Sequence, residues 1–173
     1  MLVFFIPYSE DISKAKKFYA AGEYQKTYEY MRGHKLTEDD QELYDKTLVL
    51  LRIKRPYDSY VNYMKMGKRM ESLNALVQGV EMADKYAVEA AEYGVNDKFA
   101  QLAQKIYDEL YISFGVTKDL AREWITHEGS SDYTQLLYEY LKENTNVTGY
   151  SDVQTFEDEL NADEVISMEE NDL

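Results

Sequence analysis

The 173 residues contain no cysteine, two prolines and two histidines. Without a thiol there is no disulfide, no thiolate nucleophile and no cysteine-held zinc or iron–sulfur site, although the compartment stays open. His34 and His127, with no His-Glu-x-x-His pair, are too few nitrogen ligands for zinc. Each falls near a glycine where a helix is expected to end, a position in which an imidazole partners the free carbonyls of a last turn. The eight glycines are scattered, so there is no dinucleotide fingerprint and no Gly-x-Ser-x-Gly elbow. Gly67-Lys68 lacks the upstream glycine of a phosphate loop, since residue 62 is Asn. Positive charge is the scarce sign: 19 Lys and Arg stand against 33 Asp and Glu, a net −14. That field repels phosphate, so neither nucleic acid nor an anionic lipid surface is an expected partner. Carboxylates abound, but none lies in an apolar run that would raise its pKa. The chain therefore reads as non-enzymatic, with no cofactor and no metal expected.

What is present is apolar periodicity and tyrosine. One domain is the default for this length, and 45% apolar residues suffice for a core. Tyrosine occurs 17 times, against 6 Phe and 1 Trp; its apolar ring and polar tip suit boundary positions or the wall of a groove. The spacing predicts a helix from Ser9, as N-cap, to Gly22, and a second from Tyr24 to Arg32, stopped by Gly33. Thr37 caps the next, with Asp40 three residues on as an approximate capping box. Pro56 is placed at the first turn of a separate helix that Gly67 closes. A longer helix follows from about Met70, weakened at Gly79 and expected to break near Asp84. From Asn96 and Asp97 to Gly115, Phe99, Leu102, Ala103, Ile106, Leu110 and Phe114 recur at three and four. Thr117 caps a helix carrying Leu120, Ala121, Trp124 and Ile125, and the last runs from Ser131 or Asp132 through Leu137 to Leu141. No segment alternates as a strand does, so the fold class is all-α.

One stretch is written twice. Phe18, Tyr24, Tyr28, Tyr30 and Met31 match Leu51, Tyr57, Val61, Tyr63 and Met64, each 33 residues later. Such a period marks antiparallel helical hairpins stacked as an array.

The ends differ from the middle. In residues 1–8, Leu2-Val-Phe-Phe-Ile6-Pro7-Tyr8 is far shorter than the ~20 residues that span a bilayer. Two readings fit: an aromatic strap packed on the first hairpin, or the end of a membrane helix at its interfacial aromatic. Residues 9–143 form the helical domain and 144–173 a linker and acidic segment. Residues 151–173 hold nine acids and no Lys or Arg, nine of the fourteen net charges. Val153, Phe156 and Leu160 there would share one face of a short helix.

Over about residues 9–67 the pattern resembles the tetratricopeptide repeat family. Ala15 is the small residue expected on a first helix, Phe18 or Leu51 the large apolar one, Gly22-Glu23-Tyr24 the turn, and Thr27 the small residue of the second helix. Leu48, Arg55-Pro56 and Tyr60 depart from it in the second copy. More loosely, through Phe114-Gly-Val-Thr117 and Ser131-Asp-Tyr133, the chain is similar to C-terminal domains of uncharacterised, membrane-anchored proteins of Gram-positive bacteria. The repeat resemblance implies a right-handed array and a concave face, contributed by first helices, that binds a peptide or partner helix. Carried over, that face would include Lys16 and Tyr19 from one copy and Asp45, Val49 and Arg52 from the other. The expected function is thus a protein-interaction or scaffold module in a membrane-anchored setting, on a side left open, or else in the cytoplasm. The alternative is self-assembly, in which the acidic segment of one copy enters the groove of another. An enzyme with an unrecognised carboxylate site comes third.

Overall fold

The computed structural model describes residues 8–127, 129 and 131–144. The lead-in at 1–7 and the acidic segment from 145 onward, including the face formed by Val153, Phe156 and Leu160, lie outside the described residues. Within them the chain is all-α: α1 (Tyr8–Ala20), α2 (Tyr24–Met31), α3 (Glu38–Lys65), α4 (Arg69–Glu92), α5 (Asn96–Phe114), α6 (Lys118–Ile125) and α7 (Ser131–Glu143). Each helix from α1 to α5 packs on the next, and α6 and α7 both close over α4. Gly67 and Gly94, at φ of 71° and 66°, make the three-residue turns that reverse α3 into α4 and α4 into α5. No helix among the described residues is long and apolar enough to cross a membrane.

The expected apolar stripes are the buried ones. Leu73, Leu76, Val77 and Val80 of α4 meet Leu50, Leu51 and Ile53 of α3 and Phe99, Ile106 and Leu110 of α5 in one large core. A second, smaller core holds Ile12, Ala15 and Met31 between α1 and α2. In it Ala15 and Thr27 are wholly buried, and the Thr27 hydroxyl comes within 3.4 Å of the Ala15 carbonyl. The two small residues thus let α1 and α2 approach closely. The threonine caps also form as expected: Thr37 Oγ1 accepts from the Asp40 amide and Thr117 Oγ1 from the Leu120 amide.

Three expectations are corrected. Ser9 is the second residue of α1 rather than its cap. The helix from Arg69 does not break near Asp84; α4 is continuous to Glu92, because Ala83 and Ala90 stay buried along it. Most consequentially, Pro56 opens no new helix. It lies inside the 28-residue α3, so the second copy of the repeat is one continuous helix rather than a hairpin. Proline there removes the hydrogen bond to the Arg52 carbonyl, a cost of about 3 kcal/mol. Packing on both sides outweighs it: Val49, Leu50, Leu51 and Ile53 are buried before the proline and Tyr60 after it. The Tyr60 hydroxyl donates to Glu109 of α5 at 2.8 Å and lies 3.0 Å from Ser113, fixing the downstream half. Burial pushes the Tyr60 phenol up to about 12.

A continuous helix makes a prediction that a helix start does not. Pro56→Ala should raise stability by about 1–2 kcal/mol in chemical denaturation, as the lost amide returns to the ladder. An unchanged or lower midpoint would restore the helix break to residues 53–56.

Candidate functional site

The site grows from the way α1 is pinned. Asp40, in the first turn of α3, is buried yet close to the surface, and its carboxylate gathers three groups. The Tyr8 hydroxyl donates to Oδ2 at 2.6 Å, the Thr37 hydroxyl donates to the same oxygen at 3.0 Å, and Lys16 Nζ lies 2.9 Å from Oδ1. Tyr8 in turn accepts the Thr37 amide at 3.3 Å, so its hydroxyl stands between Asp40 and the amide that a capping-box acid would take directly. These bonds, Tyr8's foremost, hold the Asp40 carboxyl below the usual carboxylate range. Beside them, His34 Nε2 lies 3.0 Å from Asp11 Oδ2, and its ring meets Tyr8 edge-on at 5.5 Å. The imidazole therefore holds a carboxylate of α1 rather than the last carbonyls of α2, which corrects the expectation for His34. The two buried acids were invisible in sequence because each stands among polar neighbours.

With α1 held this way, its last turn faces the start of α3 and the α4–α5 turn across a cleft of about 390 Å³. Tyr19 comes from α1; Asp39, Glu42, Leu43 and Lys46 form one face of α3; Gly94, Val95, Asp97 and Lys98 close the far side. Buried Val95 and half-buried Leu43 give an apolar floor, while the three acids are exposed at the rim. Tyr24 packs edge-on against the Tyr19 ring at 5.6 Å and so fixes its plane. Burial, then its neighbour Tyr24, pushes the Tyr19 phenol up, which keeps it neutral. Lys98 reaches across from α5 and sets its ammonium 4.3 Å from the Tyr19 ring centre. Lys46 is paired with Glu42 one turn earlier in the same helix.

Compared with protein-family models, with curated proteins and with solved structures, the chain matches none. Its own geometry has to carry the argument. Of the five residues expected on a binding face, Tyr19 lines the cleft, whereas Lys16 is not among its lining residues and has its ammonium on Asp40. Asp45 accepts from Gln41 at 2.8 Å and lies off the cleft-lining face of α3. Val49 is a core residue, 1% exposed, and offers nothing to a partner. Arg52 stacks its guanidinium 5.1 Å from the Tyr86 ring of α4. The last two follow from a first helix that ends before Pro56, whereas α3 runs on unbroken to Lys65 and packs along α4.

The rest of the cleft was partly legible. Residues 39, 42, 43 and 46 recur at three and four and mark one helical face. Nothing in sequence places the 94–98 turn opposite them. Elsewhere, Arg122 of α6 forks onto Asp84 of α4 through two 2.7 Å bonds and also meets Asp119 at 3.0 Å. This clamp holds the Asp84 carboxyl low and anchors α6. Among the described residues, no group of three or more His, Asp or Glu is placed to hold a metal ion.

Proposed function

We propose that this chain is a non-enzymatic protein-interaction module, a scaffold that takes a peptide or partner helix in the cleft between α1, α3 and the α4–α5 turn. The observation that carries the reading is the cleft itself. It is a concavity of about 390 Å³ with an apolar floor at Leu43 and Val95, an oriented aromatic in Tyr19 and charged groups at its rim. An apolar floor supplies affinity and a charged rim selects the partner. The α1–α2 hairpin, with Ala15, Gly22-Glu23-Tyr24 and Thr27 in their expected places, supports kinship with tetratricopeptide hairpins, from which the unbroken α3 departs. The apolar run at 2–6 supports a membrane-anchored setting as part of the same reading. Self-assembly through the acidic segment draws less support, because Lys16, one of the two cations that would receive it, is paired with Asp40.

Selection of a random peptide library on the immobilised chain tests the reading. Peptides recovered on the wild type should bind it at micromolar Kd and lose about tenfold in affinity on Tyr19→Ala, with Arg52→Ala unchanged. Peptides that bind both variants as tightly as the wild type would place recognition elsewhere and end this reading.

A further inference from the structure

The cleft already contains an ammonium. Lys98 extends from the first turn of α5 to the face of Tyr19, and its partner there is a ring, 4.3 Å away, rather than a carboxylate. Two acids line the same cleft, Asp39 on α3 and Asp97 on α5, the second accepting from the neighbouring Asn96 side chain. Glu42 is neutralised by Lys46, which leaves these two acids against one lysine and makes the cleft net negative. Residues 1–150 are also net negative, at −5 once the nine acids of 151–173 are set aside, which adds to the same field.

Resting on the peptide-binding reading above, we infer that the cleft selects a cationic segment, a lysine or arginine flanked by apolar residues, and that Lys98 holds the place of that basic side chain until it arrives. The incoming cation takes the Tyr19 face between Asp39 and Asp97, and its apolar neighbours cover Leu43 and Val95. Lys98 gives way readily, because an exposed lysine needs only to swing its head back into water. The contact it leaves is of the weak, solvent-exposed kind. An acidic occupant meets the opposite arrangement, since Lys98 would have to leave Tyr19 to pair with it while Asp39 and Asp97 repel it. By the same logic the acidic segment at 151–173 of a second copy is the wrong sign for this cleft.

Fluorescence anisotropy on the full chain decides the matter, with short fluorescein-labelled peptides that share their leucines and differ only in carrying Lys, Gln or Glu between them. The Lys peptide should bind tightest. Lys98→Met, which vacates the ring and keeps the stem, should tighten it about fivefold, and Tyr19→Leu should weaken it about tenfold. Tyr19→Phe keeps the aromatic face and should retain most of the affinity. Lys105→Met, an exposed change of equal charge two turns further along α5, should move it less than about twofold. Equal responses to Lys98→Met and Lys105→Met would show bulk charge attraction and overturn the placeholder. Gln or Glu peptides binding as tightly as Lys, with the same dependence on Tyr19, would overturn the cationic preference and leave the peptide-binding reading standing. If no peptide of any charge bound, that reading would fall, and this inference with it.

Discussion

Gly79→Val should destabilise the chain by about 3 kcal/mol, the cost of forcing a branched side chain into a packed helix contact. Gly79 is buried in α4, and a Cβ built on it would lie 2.7 Å from Ile106 Cδ1 and 3.1 Å from Cγ2. Real Cβ atoms do not approach so closely, so the Ile106 side chain, wholly buried in a packed core, would have to shift its Cδ1 end to make room. The glycine that weakens α4 as a helix is therefore the one that lets α5 press against it. The alanine variant separates the two effects. Gly79→Ala gains about 1 kcal/mol of helix propensity and loses about 2 to the contact, a net cost of about 1. Ile106→Val alone costs about 1 kcal/mol through the lost methyl. Combined, they remove the 2.7 Å contact and keep the propensity gain, so the double variant should unfold within about 0.5 kcal/mol of the wild type. Urea denaturation of the four proteins measures the coupling. Strict additivity of the single costs would mean that Gly79 is there for some reason other than Ile106.

This glycine shows where sequence reading reached and where it stopped. The punctuation of the fold was legible because it is local. A residue that can adopt positive φ at 67 or 115, or a threonine ahead of an acidic turn at 37, acts on its own few neighbours. Core faces were legible for the same reason, since Phe99 through Phe114 repeat at helical spacing whatever they pack against. What failed were the inferences about α3 and α4, in which a partner helix decides. Pro56 and Gly79 each signal a weak helix, and each stands in an unbroken one because α3, α4 and α5 support one another along their length. Val49 looked like a groove residue only while α3 was taken for two helices. The cleft draws on three separated segments, so Tyr19 could be named from its repeat position, whereas Lys98 and Asp97 could not.

The same dependence on a distant partner governs acid behaviour. At neutral pH, Asp40→Asn should cost about 1 kcal/mol, because it removes the charge that receives the Tyr8 and Thr37 hydroxyls in a part-buried site. Lys16 contributes less than these two, since its ammonium is largely exposed and its attraction is screened. The sign with pH follows from the direction of the shift. Asp40 is held below its ordinary value in the fold, so the unfolded chain takes up the proton first on acidification. Its stabilisation is complete above the unfolded value, near 4, and is lost as pH falls through the lower folded value. Other carboxylates titrate in the same range, and on a chain of net −14 their protonation also relieves repulsion, so the wild-type curve alone says little. The difference between the wild type and Asp40→Asn isolates the group. That gap should be constant from about pH 7 to 5 and narrow once pH falls below about 4, in urea midpoints taken across the range. A gap that stays constant to the acid end would mean that the charge of Asp40 is not what stabilises the fold, and coincident curves that the asparagine fills its role as well. The hold of α1 against α3, and with it the near wall of the cleft, would then rest on neutral hydrogen bonds and on the apolar cluster in which Leu43 and Tyr44 of α3 pack against Ile12, Ala15 and Met31.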